Sequence, residues 1–441
     1  MSPISGQRIW SEDVREKIRN PPILFEKLDP STGRVIALVP EATLEDINRT
    51  ASRARTGLLS WNQISIEDRS HMISRFANQL VENASSLTSL LTAEQGKPLR
   101  DARDEVESSI AVLERAASFV GSYHNSKIIS ETNSHRIEVR YNPVGVVAAI
   151  LPWNYPLFLA ADKIARSLAF GNVVIIKPSP YTPLTSLRLG ELANDVFPQG
   201  VVQILTGSDS IVDLRNHLID YVNEHEINVG EQLVRHPLVD KINFVGSTKT
   251  GKRIMSLSSE TVKRLTLEMG GNDAAIVLDD VDIEATAEQV LQAALTNNGQ
   301  ICVAIKRVYV QHSIFDRFVN AIVLLANQRA EEVGDGRSKG VTLGPMNNKM
   351  QFEKVIDLIE EAKSRGGIIR CGGRVMYELK NPKSGHCWFI APTIITDMSE
   401  DARIVQEEQF GPVLPLIPFT TIEEAISKAN STAFGLGATI W

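Results

Sequence analysis

The chain runs to 441 residues, with 46 Lys+Arg against 53 Asp+Glu and a formal net charge of −7. That length exceeds one ordinary core and predicts two or more packed units, while the mildly acidic balance leaves no basic surface suited to a phosphate backbone and argues against nucleic acid as a partner. Apolar residues at 43% and charged residues at 22% are those of a globular chain and exclude disorder as a description of the whole.

From the N-terminus, Met1–Arg8 leads into Glu12, Asp13, Arg15, Glu16 and Lys17 without an apolar stretch, so no secretory signal is expected. Apolar periodicity predicts helices over Leu44–Leu59 and from about Asp68 to Phe119, the second broken at Gly96-Lys97-Pro98. Asn133–Tyr141 alternates, with Ile137 and Val139 on one face and Arg136, Glu138 and Arg140 on the other, which suits an exposed sheet edge or arm. Short β-branched runs then alternate with helix-length amphipathic segments: Val144–Leu151, Val173–Ile176, Val201–Leu205, Lys241–Val245 and Leu265–Leu267. Such alternation predicts a parallel sheet wrapped by helices. The longest apolar stretch, Val144–Trp153, holds Gly145 and Pro152 and is too short to span a bilayer, so no membrane association is expected. A second α/β series starts at Ala274–Leu278 and continues through a helix Ile283–Asn297, a strand Arg307–Val310 and helices Ser313–Glu332 and Asn348–Arg365. The two series join near Gly270-Gly271.

The 3 cysteines, Cys302, Cys371 and Cys387, stand at wide spacings that fit neither a disulfide framework nor a metal site, and a reducing cytoplasm is the expected setting. Cys302 closes the run Asn297-Asn298-Gly299-Gln300-Ile301-Cys302. A thiol near a helix end, among free backbone N–H groups, can ionise below its ordinary range and act as a nucleophile; a small buried hydrophobe is the plainer reading of one cysteine. Glu268 lies between Leu267 and Met269, ahead of Gly270-Gly271. Partial desolvation there suits a general base near neutral pH, the glycine pair permits close backbone approach, and the bland alternative is a capping or ion-paired Glu.

Leu151-Pro152-Trp153-Asn154-Tyr155-Pro156 follows a strand at its carboxyl end, where open α/β sheets bind ligands, and Asn154 offers an amide donor for a developing oxyanion. A packing corner is the default reading of the Trp between prolines. Lys177-Pro178-Ser179-Pro180 closes the next strand in the same way, placing Lys177 within reach of a ribose or phosphate unless it is simply solvated. Gly246-Ser247-Thr248-Lys249-Thr250-Gly251-Lys252 mimics a phosphate-binding G-x-x-x-x-G-K loop, but Arg253 stands where the magnesium-binding Ser or Thr is needed, so ATP hydrolysis is disfavoured. Its glycine-rich turn at a helix start still suits a pyrophosphate.

Together these blocks, with Phe244-Val245-Gly246-Ser247-Thr248 and Glu407-Glu408-Gln409-Phe410-Gly411-Pro412, resemble the aldehyde dehydrogenase superfamily in kind and order, from about Leu28 to Trp441. The resemblance implies an α/β fold of a Rossmann-type cofactor domain (residues 1–122 and 144–269), an oligomerisation arm (123–143) and an α/β catalytic domain (270–441). It implies oxidation of an aldehyde to a carboxylic acid with NAD or NADP. Cys302 would be the nucleophile, Asn154 and the Cys302 N–H the oxyanion donors, and Glu268 the base that activates the hydrolytic water. Ile150, Trp153, Lys177, Gly246, Ser247, Gly251, Glu408 and Phe410 would hold the cofactor, no metal would be needed, and the arm would build a homodimer or homotetramer.

Departures are informative too. Pro180 stands where NAD-preferring members often carry a ribose-binding Glu; with no further Arg or Lys beside Lys177, NAD is slightly preferred. Much of Ser208–Val229 is surplus to the family's short link and reads as a surface loop or translated intron sequence. The block Phe434–Trp441 is one that in the family precedes further residues, so a missing C-terminal end is expected. The rival readings are a semialdehyde or acyl-transferring reductive relative, which retention of Glu268 disfavours, and a catalytically dead structural or interaction protein.

Overall fold

The computed structural model describes residues 24–119, 127–207, 228–381 and 385–441. Residues 208–227 of the surplus segment, 123–126 of the expected arm and the chain before Leu24 therefore lie outside the described residues. The chain divides into two compact units: Met1–Lys27, Val35–Leu91 and Arg103–Glu268 form one, and Leu28–Arg34, Thr92–Ala102 and Met269–Trp441 the other.

In the first unit β1 (Leu24–Leu28) and β2 (Val35–Pro40) make a two-stranded sheet. Helices Leu44–Gln63 and Ile66–Glu82 follow, each started by a hydroxyl cap, Thr43 and Ser65, whose oxygens accept from Asp46 N–H and Asp68 N–H. The predicted long helix has an extra break at Asn83, whose side chain donates to the Gln79 carbonyl at 2.8 Å and closes the turn before helix Ala84–Gln95 begins. Helix Leu99–Phe119 comes next. The hairpin of β3 (Lys127–Glu131) and β4 (Arg136–Val139) pairs antiparallel.

The main sheet of this unit holds β5 (Val146–Ile150), β6 (Val173–Lys177), β7 (Val202–Ile204), β8 (Lys241–Val245) and β9 (Arg264–Glu268), all parallel, in the order β7-β6-β5-β8-β9. Every residue of β5 and β6 is buried, which is why these strands read as continuous apolar runs: helices cover both faces of a parallel sheet. Trp61, Phe76 and Phe197 pack edge to face within this unit, ring centroids 5.7 and 5.3 Å apart. The chain builds outward from β5 to β7, then returns to β8 on the other side of β5, so the reversal of strand order falls between β5 and β8.

The second unit carries β10 (Asp273–Val277), β11 (Ile305–Gln311), β12 (Ile368–Cys371), β13 (Thr393–Thr396), β14 (Val413–Phe419) and β15 (Ala438–Ile440) in the order β12-β13-β14-β11-β10-β15. Only β12 against β13 is antiparallel. Strand alternation sorts its core into two: Ala275, Val277, Val308 and Val310 pack with helices Ile283–Leu295 and Phe315–Ala330, while Ala274, Ile276 and Tyr309 pack with helix Lys349–Ser364. Among the described residues no helix is long and apolar enough to cross a membrane.

Candidate active site

Strand register brings the candidate residues of the first unit to one edge of its sheet. Ile150 stands opposite both Lys177 and Phe244, and Val245 opposite Glu268, so the carboxyl ends of β6, β5, β8 and β9 lie side by side. Asn154 and Trp153 follow Ile150 directly. Asn154 is buried, and the turn that carries it is fixed at both ends: Leu151 N–H donates to Lys177 O at 3.0 Å, and the Glu105 carboxylate accepts from Leu157 and Phe158 N–H at 2.9 and 3.1 Å. Glu105 thus caps helix Pro156–Ala169, whose own N-cap residue, Tyr155, does not cap it through its side chain. Nothing local in the sequence marks this residue, which reaches across from another helix. Lys177 is only 1% exposed, which sets aside the reading of a solvated strand-end lysine.

Gly246 and Ser247 form the turn from β8 into helix Thr248–Ser258. A Cβ at Gly246 would come within 2.6 Å of the Phe244 ring, and Ser247 Oγ caps the helix by accepting from Thr250 N–H at 3.2 Å. Gly251 lies past the Gly246-Ser247 turn, buried inside the helix, its N–H donating to Ser247 O at 2.9 Å. Glu268 also differs from expectation. Leu267 and Met269 are half-buried, but Glu268 itself is exposed, because it ends an edge strand with β8 as its sheet neighbour.

In the second unit Cys302 sits on a turn ahead of β11, not at a helix end. The predicted helix stops at Leu295 and gives way to a 3₁₀ turn, Thr296–Gly299, in which Asn297, Asn298 and Gly299 have φ of 50°, 57° and 73°. Asn and Gly are the residues that tolerate this left-handed backbone. Asn298 donates to Gly344 O at 3.0 Å; Gln300 donates to Asn297 O at 3.0 Å and accepts from Asn347 N–H at 3.0 Å. A Cβ on Gly299 would strike the Gly411 carbonyl, and one on Gly271 would strike the Cys302 carbonyl. Glu408 accepts from Gly271 N–H at 3.1 Å, and a Cβ on Gly270 would lie 2.5 Å from its carboxylate. Phe410 holds a φ of 56° two residues on.

The electrostatics correct the expectation of an acidified thiol. Burial pushes Cys302 up, the Lys306 ammonium pulls it back down, and Glu408 opposes that pull. Lys306, which sequence reasoning missed, is 1% exposed and drops by burial to about 8, held up in turn by Glu408, Asp273 and Cys302. Burial also raises Glu408 and Asp273. The signal for Lys306 was present: Lys306-Arg307 is a pair of charges at the start of an otherwise apolar strand, a local violation of the core pattern. Among the described residues no cluster of His, Cys, Asp and Glu is arranged to hold a metal.

The residues of the first unit fit a dinucleotide: the Gly246-Ser247 turn at the end of β8 leads into a helix N-terminus, and buried Lys177 ends the strand next to β5, where the strand order reverses. A parallel sheet whose strand order reverses beside these strand ends places the chain in the class of α/β dinucleotide-binding proteins. The chain belongs to the aldehyde dehydrogenase family, whose sequence model matches residues 20–441. It is 36% identical over 94% of its length to aldehyde dehydrogenase LUC3 of a Fusarium species, covering 81% of that protein. It is 34% identical to a probable succinate-semialdehyde dehydrogenase [NADP(+)] of Sinorhizobium fredii, over 94% of this chain and 79% of that one. The crystal structure of betaine aldehyde dehydrogenase from Staphylococcus aureus in complex with NAD+ superposes with a TM-score of 0.87 at 32% identity, over 95% of this chain and 79% of the other. The protein is accordingly an NAD(P)-dependent aldehyde dehydrogenase, oxidising an aldehyde to a carboxylic acid.

Proposed function

We propose that Cys302 is the nucleophile of this oxidation. Its sulfur bonds to the aldehyde carbon, and the Asn154 amide and the Cys302 backbone N–H donate to the oxyanion that forms. A bound NAD(P)+ would supply the hydride acceptor for this carbon. The carbonyl then re-forms as a thioester on Cys302. Glu268 takes a proton from the water that attacks it, the C–S bond breaks, and the acid departs with the thiol restored. Exposure suits Glu268 to this step, since a base that must meet bulk water gains nothing from deep burial.

Lys177 binds the adenosine ribose, the Gly246-Ser247 turn the pyrophosphate, with Ile150 and Trp153 lining its path; Glu408 holds the nicotinamide ribose, with Phe410 packed beside it. The first unit is thus the cofactor domain, the second the catalytic domain, and the β3–β4 hairpin the arm of a homodimer or homotetramer. NAD is preferred over NADP, because Ser179, Pro180 and Tyr181 follow Lys177 with no further cation to meet a 2′-phosphate. A reducing cytoplasm suits an enzyme that depends on a free thiol.

The observation that carries this reading is the half-buried Cys302 on a turn pinned by Gly271, Gln300 and Lys306. The test follows NAD(P)H absorbance with both cofactors and a panel that includes succinate semialdehyde and betaine aldehyde. Cys302→Ala abolishes turnover; Glu268→Gln leaves a burst of about one NAD(P)H per site followed by slow release. Normal turnover by the Cys302 variant overturns the assignment.

A further inference from the structure

We infer that Lys306 is the positioning residue for the Cys302 nucleophile: its ammonium ties down the carbonyls that bracket Cys302 and supplies the positive charge that lets a buried thiol ionise. The inference rests on the reading of Cys302 as nucleophile. Lys306 Nζ donates to the carbonyl of Ile301, the residue before Cys302, and to that of Ala304, two residues after it, at 3.4 Å. The same Nζ lies 5.7 Å from the centroid of the Phe410 ring, close enough for a cation–π attraction. The Lys306 carbonyl accepts from Gln409 Nε2 at 3.3 Å, which ties its strand to the segment bearing Glu408 and Phe410. A lysine 1% exposed is costly, and helix geometry cannot explain it because it opens a strand. What the burial achieves is a cation at the foot of the nucleophile's turn.

The charges around it come from every neighbouring element. Glu408 from its loop and Asp273 from β10 favour the ammonium, as does Cys302 when ionised, while Lys354 from helix Lys349–Ser364 opposes it and donates to Glu408 O at 2.7 Å. Arg307 bears on Asp273 as well. The direction is therefore definite: the Lys306 ammonium draws the thiol down and burial drives it up. As Lys306 loses its proton near pH 8, the charge that supports the thiolate fades.

The test is the pH dependence of Cys302 alkylation by iodoacetamide in the full-length enzyme without cofactor, read by peptide mass, for wild type, Lys306→Gln and Lys306→Arg. Lys306→Gln keeps an N–H donor without the charge and Lys306→Arg keeps the charge, so the pair separates charging from holding. Alkylation of Lys306→Gln at pH 7.5 is expected to fall roughly three- to tenfold with the midpoint moved up by about half to one unit, and Lys306→Arg to restore the wild-type rate. A Lys306→Gln profile that superposes on wild type overturns the proposal, even where turnover is reduced. Should Lys306→Gln fail to fold, Lys306→Met is read in the same way: a slower profile moved to higher pH supports the proposal, and one that superposes on wild type overturns it. Turnover by Cys302→Ala is measured in parallel, so failure of the nucleophile assignment registers separately from failure of the lysine's role.

Discussion

At Gly271 a single hydrogen atom decides whether the nucleophile's backbone can sit where it does. The Cys302 carbonyl occupies the space a side chain would need, and Asp273 Oδ1 lies 2.8 Å from the same point. That a glycine pair was required for close approach could be read from Gly270-Gly271; what approaches could not, because Cys302 and Glu408 are remote in sequence. Gly271→Ala is predicted to keep the fold at a cost of about 1–3 kcal/mol while displacing the turn, lowering kcat by roughly ten- to a hundredfold. Thermal unfolding and steady-state rates, measured together, check this; a folded variant with wild-type kcat would contradict it. Cys302 and Glu268 were legible as residue types, yet their surroundings were not. A left-handed turn through Asn297, Asn298 and Gly299 replaces the helix end expected from the apolar period, although Asn-Asn-Gly is itself a turn signal. Exposure of Glu268 follows from its place at the end of an edge strand, which no local pattern reports.

At the scale of elements, the strands legible in the sequence were mostly those of the first parallel sheet, whose β-branched runs alternate with amphipathic helices. Lys241–Val245 has the expected bounds, and β5, β6 and β10 shift by only a residue or two. Strand β14 was missed because Pro415 and Pro418 interrupt its apolar run, and β12, β13 and β15 because short runs late in the chain lack a helix-length pattern on each flank to mark them; β1 and β2 pair only with each other. The link between Glu105 and the start of helix Pro156–Ala169 belongs to this scale as well. It joins two elements of the first unit and sets the direction of the turn carrying Asn154. Glu105→Ala is predicted to cost about 1–2 kcal/mol in urea unfolding, with a fall in kcat that exceeds any change in KM, since Asn154 is proposed to act on the oxyanion. Unchanged kcat in a destabilised variant would confine Glu105 to a structural role.

The whole molecule combines a legible order of chemistry with an exposed apolar ribbon. The hairpin of β3 and β4 exposes Ile128, Ile129, Ile137 and Val139, and a two-stranded ribbon of this kind is marginal alone. Sequence alternation marked the strand, and its exposure on both sides accords with the proposed pairing with another copy. Ile129→Asp combined with Ile137→Asp is predicted to shift the sedimentation coefficient to that of a monomer, and an unchanged oligomer would remove the arm from the assembly. The chemistry of the whole molecule turns on one covalent bond. Glu268→Gln enzyme mixed with NAD+ and an oxidisable aldehyde, quenched within one turnover and digested, is predicted to carry the acyl group on the Cys302 peptide in a yield matching the NADH formed. An acyl group on another residue, or NADH formed with no acyl-enzyme while Cys302→Ala stays active, would contradict it.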